Sequence, residues 1–216
     1  MRVRIATGNS GKLREFREML TPLGYEVLGL EDVLGFSVEE DGATFLDNAI
    51  KKARALAERT GEPAIADDSG LVVDALDGAP GIYSARYAGE PPPGTPAAER
   101  DAANRRKLTL ALADVPDAQR TARFVCALCY FVPDRPPVVV EGTCEGMISR
   151  RECGGNGFGY DPLFIVPAYG RTMAELAHEQ KNALSHRGQA LRRLLAIIAP
   201  GSPSGREGKT AHKPVT

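Results

Sequence analysis

The sequence predicts an α/β fold, with a mixed central sheet flanked by helices and two lobes that leave a cleft between them. Three observations carry that expectation. Short β-prone runs alternate with amphipathic helical stretches, the pattern of a sheet covered on its faces by helices. A glycine-bearing turn joins the first such run to a helix. In the second half, two apolar runs, Ala122 to Val132 and Pro137 to Ile148, flank the turn residues Pro133-Asp134 and read as paired strands that could build a smaller lobe.

The elements follow in order. Val3 to Ala6 is the first strand, and Thr7-Gly8-Asn9-Ser10-Gly11-Lys12 is the loop that leaves it. Leu13, Phe16, Met19 and Leu20 recur at helical spacing until Pro22 and Gly24 stop the helix. Tyr25 to Leu30 reads as a second strand. Thr44 opens the next helix, with Asp47 three residues on as its capping-box partner. Phe45, Ala49, Ala53, Leu56 and Ala57 mark its buried side, and Lys51, Lys52 and Arg54 its outward side. Gly61 and Pro63 end it. Ala64 to Ala66 is a short strand running into Asp67-Asp68-Ser69-Gly70, and Leu71 to Val73 is another. Gly89 to Pro96 is loop, Ala97 to Ala113 helix, and Leu163 to Val166 a short strand. The last helix starts after Ser185 and buries Ala190, Leu191, Leu194, Leu195 and Ile198. One domain therefore spans residues 1–199, and residues 200–216, rich in Gly, Ser, Pro and charge, read as a disordered tail.

Composition narrows the function classes. Over 216 residues the net charge is -1, with 43% hydrophobic and 25% charged residues, the balance of a soluble globular protein. A nucleic acid polymer demands a surplus of Lys and Arg, so no such partner is expected. No apolar run approaches the ~20 residues that cross a bilayer. Met1 to Ala6 has no signal-peptide core, so no membrane partner is expected and the cytoplasm is the expected location. Cys126 and Cys129 form a C-x-x-C inside an apolar run, where an offset of three puts them on opposite faces of a strand. With Cys144 and Cys153, which show no ligand spacing, they read as buried thiols rather than metal ligands.

Four kinds of feature offer chemistry. Gly8 and Gly11 let the backbone approach a ligand, the helix behind them offers free N–H groups, and Lys12 adds a full positive charge. That arrangement suits phosphate but is not a Walker A loop, because Leu13 stands where Ser or Thr belongs. Glu39-Glu40-Asp41 and Asp67-Asp68 are acidic clusters, and two carboxylates on neighbouring loops suit Mg²⁺, whose other positions go to water and phosphate. Phe158 and Tyr160 sit among glycines, either as platforms for a base or as plugs against the core. Lys181 and Ser185-His186-Arg187 place cations at the start of a helix, where they oppose the dipole and call for an anion.

Six ordered motifs carry a resemblance to a known family. They are Ala6-Thr-Gly-Asn-Ser-Gly-Lys12, Glu39-Glu40, Ala64-Ile-Ala-Asp-Asp-Ser-Gly-Leu71, Gly78-Ala-Pro-Gly-Ile-Tyr-Ser-Ala-Arg-Tyr87, Gly157-Phe-Gly-Tyr-Asp-Pro162 and Ser185-His-Arg-Gly188. From about Arg2 to Ala199 the chain closely resembles the non-canonical purine nucleoside triphosphate pyrophosphatases, the inosine triphosphatase family. The resemblance implies a two-lobed α/β fold, usually a homodimer, and Mg²⁺-dependent hydrolysis of ITP, dITP and XTP to the monophosphate and pyrophosphate. Position by position, it implies that Thr7, Gly8, Asn9, Ser10, Gly11 and Lys12 bind the triphosphate. It gives the metal to Glu39 and Asp68, with Asp68 also the proton acceptor. Ser69, Phe158, Gly159, Tyr160, Asp161, Lys181, His186 and Arg187 would contact the nucleotide. Cys153 departs from the family's pattern. A nucleotide-sensing module and a pyrophosphatase of modified pyrimidine nucleotides are the alternatives, and the retention of Glu39, Asp67 and Asp68 favours an enzyme over the module.

Overall fold

The structure, a computed structural model, describes residues 1–198, so the stretch read as a tail lies outside the described residues. The chain opens with β1 (Arg2–Ile5), in which Val3 and Ile5 are fully buried, and passes through the glycine loop into α1 (Ser10–Leu20). Phe16 and Leu20 of α1, one turn apart, both enter the core. β2 (Glu26–Leu28) is shorter than the run that predicts it. α2 (Phe45–Thr60) carries the expected capping box. Thr44 Oγ1 accepts from the Asp47 N–H and the Asp47 carboxylate accepts from the Thr44 N–H, a pairing worth about 1 kcal/mol.

The largest departure from expectation is β3 (Ala64–Val73). Instead of two short strands around an acidic turn, a single strand of 10 residues runs straight through Asp67-Asp68-Ser69-Gly70. It is paired along its whole length with the antiparallel β4 (Thr121–Phe131), from Ala64 opposite Phe131 to Val73 opposite Ala122. Aspartate and glycine are poor strand formers, and this continuous ladder overrides their local preference. α3 (Ala97–Ala111) precedes β4, and β5 (Val138–Ile148), β6 (Phe164–Val166) and β7 (Arg171–Thr172) follow it. α4 (His178–Leu184) and α5 (His186–Ile198) complete the described chain.

All the strands form one sheet in the order β2-β1-β3-β4-β5-β6-β7, parallel across β2-β1-β3 and antiparallel beyond. The predicted strand pair is present as β4 and β5, but it continues the sheet of the first half rather than building a sheet of its own. The mixed α/β class is as expected. Side-chain alternation divides the core between the two faces. On one face Ile65, Cys126 and Leu128 meet Phe16 and Leu20 of α1 and Ala190, Leu191 and Leu194 of α5. On the other, Ala64, Ala66, Ala127 and Cys129 meet Ala49, Ala53, Leu56 and Ala57 of α2. Cys126 and Cys129 thus lie on opposite faces as predicted. With Cys144 they are buried, whereas Cys153 is exposed, because it precedes a surface loop rather than sitting in a strand. No helix among the described residues is long and apolar enough to cross a membrane.

Candidate active site

The pairing of β1 with β3 ends at Ile5 opposite Ile65, and β3 runs on without a strand neighbour on that side until the Val72–Pro80 bridge near its end. The glycine loop turns away at this point and leaves Asp67 and Asp68 at an open edge. The acids therefore lie beyond the C-terminal end of β1 and not, as predicted, at the end of their own strand. Ends of parallel strands are where open α/β sheets place ligands. A cleft of about 480 Å³ opens there, lined by Thr7, Gly8, Asn9 and Lys12 of the loop and by Lys52, Asp68 and Ser69. Phe158 to Asp161, Lys181, His186 and Arg187 also line it.

The glycine loop is ordered by its own side chains. Asn9 caps α1, its Oδ1 accepting from the N–H groups of Gly11 and Lys12 at 2.9 and 3.1 Å, and Thr7 Oγ1 accepts from the Asn9 N–H at 3.1 Å. Two of the N–H groups expected to be free for phosphate are therefore already satisfied. Ser10 is exposed at the helix start, away from the cleft lining. Gly11 underlies Phe158: a Cβ at Gly11 would stand 2.6 Å from the Phe158 Cδ1, so only glycine admits the ring.

Asp67 and Asp68 differ in surroundings. Asp68 accepts from Asn48 Nδ2 at 3.0 Å and from Lys52 Nζ at 3.3 Å, both on α2. Burial raises its carboxyl pKa above the ordinary value despite the nearby Lys52 and Lys12. Asp67 is 1% exposed and pairs with Lys12 Nζ at 3.0 Å and Arg187 Nη2 at 2.7 Å. Burial alone would raise its pKa as well, but Lys12, Arg187 and Lys52 hold it well below the ordinary carboxylate range.

Lys52 corrects the sequence reading, which turned it outward. It is buried and joins Glu40 at 3.2 Å and Asp68 at 3.3 Å, because it follows Asn48 by one helical turn along the side that packs on β3. Glu40, and not Glu39, reaches the cleft. Exposure alternates from Phe36 to Gly42, as in an extended segment, and puts Glu39 on the solvent side.

Beside Lys12, on the same Asp67 oxygen, Arg187 is 1% exposed, with four hydrogen bonds to protein: its Nε and Nη2 donate to Asp67 Oδ2, Nη1 to Glu15 Oε2, and Nη2 also to Ser69 Oγ. Lys181 Nζ contacts Glu15 at 2.7 Å and Asp161 at 2.6 Å. The two carboxylates raise its pKa against the effect of burial and keep it charged. His186 is stacked on Phe124 with centroids 4.8 Å apart, and burial followed by Arg187 and Lys181 lowers its pKa well below the ordinary value. It is therefore neutral at pH 7. The Lys181 Nζ lies 4.8 Å from the Phe158 ring centroid and the Arg187 Cζ 5.9 Å. Tyr160 is the plug: it is buried, and its hydroxyl donates to the Ser84 carbonyl at 2.9 Å.

The structure adds Glu15, Glu40, Asn48 and Lys52 to the predicted set. Asn48 and Lys52 were legible in principle, since their i, i+4 spacing runs beside the Ala49–Ala53–Leu56 stripe. Glu15 had no such signal beyond its place next to Phe16.

Residues 3–197 match the sequence model of the Ham1 family. A dITP/XTP pyrophosphatase of Desulforamulus reducens is 53% identical over 92% of this chain and 96% of its own. The protein of that name from Escherichia coli K12 is 50% identical, covering 93% of this chain and 99% of its own. Among solved structures, the Staphylococcus aureus Ham1 protein superposes with a TM-score of 0.78 at 44% identity, covering 92% of this chain and 98% of its own. A match that spans the sheet, the glycine loop and the cleft together makes this chain a member of the Ham1 family.

Proposed function

We infer that the protein hydrolyses aberrant purine nucleoside triphosphates (ITP, dITP and XTP) to the nucleoside monophosphate and pyrophosphate. One observation carries this reading: the buried carboxylate Asp68, with Lys52 against it, stands in the same cleft as a glycine loop and a cationic pair beneath an aromatic ring. Relatives named dITP/XTP pyrophosphatase support the substrate class.

Water attacks the α-phosphorus in line, the new O–P bond forms as the bond to the β-phosphate oxygen breaks, and pyrophosphate leaves with the electron pair. Asp68 accepts the proton of the attacking water, a role suited to a carboxyl whose pKa is raised by burial. Lys12 and Lys52 neutralise charge on the phosphate chain. The donors fit Mg²⁺: Glu40 and Asp68 supply hard oxygens that converge on one ammonium at 3.2 and 3.3 Å. Mg²⁺ takes one or two carboxylates and fills its shell with water and phosphate oxygens, so two such side chains suffice in number. Asp68 with Glu40 would hold it, and bound Mg²⁺ supplies further charge neutralisation of the phosphate oxygens.

Base choice falls to the donors left over. Arg187 has five N–H groups and Lys181 three, and their protein partners leave each with one to spare. A fixed donor meets the C6 carbonyl of hypoxanthine or xanthine and opposes the amino group of adenine. We take the working form to be a cytoplasmic homodimer, tested by light scattering at twice the chain mass. The functional test is pyrophosphate release from ITP, XTP, dTTP, GTP and ATP, with Mg²⁺ or with chelator. Rapid release from ITP and XTP that chelator abolishes is expected. Near-normal release by Asp68→Asn would sink the assignment of Asp68.

A further inference from the structure

We propose that Asp101 and Arg105 of α3 are positioning residues for base recognition, acting by clamping Gly159 and so fixing the Phe158 ring. The proposal rests on the nucleotide reading above and goes beyond it, because neither residue belongs to the predicted site.

Asp101 Oδ2 accepts from the Gly159 N–H at 2.7 Å, and Arg105 Nη1 donates to the Gly159 carbonyl at 2.9 Å. The two side chains are one helical turn apart, so a single face of α3 holds both polar groups of one residue. Gly159 has φ +59° and presents them from a left-handed conformation that glycine adopts without strain. Arg105 also lies 3.0 Å from the Glu152 carboxylate, which ties the stretch before the loop to the same helix.

The neighbouring loop residues are held from elsewhere. The Phe158 N–H donates to Asp161 Oδ2 at 2.9 Å, Asp161 is fixed by Lys181, and Tyr160 reaches the Ser84 carbonyl. Gly159 is thus where α3 grips the loop. What the grip controls is the adjacent ring, which packs on Gly11 of the glycine loop and faces Lys181 and Arg187. A small shift of that ring disturbs the base end of the cleft and leaves Asp68 and Lys52 untouched.

α3 itself is built for this task more than for the core. Leu108 is its one buried apolar residue, and its other buried residue, Asn104, bonds the Ala85 carbonyl and the Ala88 N–H across the cleft rim. Asp101, Asn104 and Arg105 together make a polar face that bonds the backbone of Gly159, Ala85 and Ala88.

The test compares Asp101→Ala and Asp101→Asn, each with Phe158 and with Phe158→Ala, by steady-state hydrolysis of dITP. Loss of the charged acceptor is expected to raise KM about tenfold with kcat within about twofold. Asn retains an acceptor oxygen and is expected to restore KM. With Phe158→Ala, Asp101→Ala is expected to add nothing, since the ring through which it acts is gone. An unchanged KM, an equal rise in both backgrounds, or a loss confined to kcat would overturn the proposal. Wild-type protein inactive on dITP would instead overturn the nucleotide reading. Amide exchange at residues 157–160 then decides the clamp without substrate: faster exchange in Asp101→Ala but not in Asp101→Asn supports it, and unchanged exchange rejects it.

Discussion

Asp67 and Asp68 are neighbours in β3, yet their carboxylates serve opposite faces of the sheet. Asp67 turns to Lys12 of α1 and Arg187 of α5, and Asp68 to Asn48 and Lys52 of α2. The alternation of a strand accounts for the split. One acid anchors the internal charge network, and the other is left at the cleft with a raised pKa.

Substitution should separate the two roles. Asp67→Ala leaves the Arg187 guanidinium without its main partner in the interior, at a cost of about 3–5 kcal/mol in stability, read by urea denaturation. Asp68→Asn should unfold at nearly the wild-type urea concentration while turnover is lost. Equal destabilisation by both would contradict the division.

Lys52→Met keeps most of the aliphatic stem and removes the charge shared by Glu40 and Asp68. Loss of one preorganised cation typically lowers kcat about 10²-fold to 10³-fold. Steady-state kinetics on dITP reads this, with circular dichroism as the check on folding. A kcat within a few-fold of wild type would remove Lys52 from the chemistry.

Arg187→Ala removes a donor for the base together with the bonds to Glu15, Asp67 and Ser69. The ratio of kcat/KM for ITP to that for ATP should fall by at least about tenfold, the effect of one hydrogen bond of about 1.4 kcal/mol. An unchanged ratio would place selectivity elsewhere.

His186 gives a pH dependence. Its folded pKa lies well below the ordinary 6.5, so the unfolded chain binds a proton that the folded chain refuses. Stability attributable to this residue is therefore complete above pH 6.5 and falls as the pH drops, by up to about 1.4 kcal/mol per unit. Unfolding free energies at pH 7.5, 6.5 and 5.5 should show that loss in the wild type and a smaller one in His186→Gln.

Much of this was legible in the sequence. The 3.6-residue stripes of α1, α2 and α5 and the Thr44–Asp47 box located those helices, and the offset of three between Cys126 and Cys129 foretold their opposite faces. What was hidden depended on pairing partners remote in the chain. β3 looked like two strands because Asp67 to Gly70 disfavour extended structure locally, and only the ladder to β4 holds them straight. Lys52 looked like a surface lysine because its partners, Glu40 and Asp68, approach it from a loop and from a strand. Among the acids Glu39 and Glu40, motif position pointed to one and the alternation of an extended segment brought the other into the cleft.

The most direct measurement is the product analysis of dITP hydrolysis by the purified protein with Mg²⁺, with dATP alongside. Cleavage at the α-phosphorus predicts dIMP and pyrophosphate in equal amounts and little turnover of dATP. Release of orthophosphate with dIDP, or hydrolysis of dATP at the same rate, would contradict it.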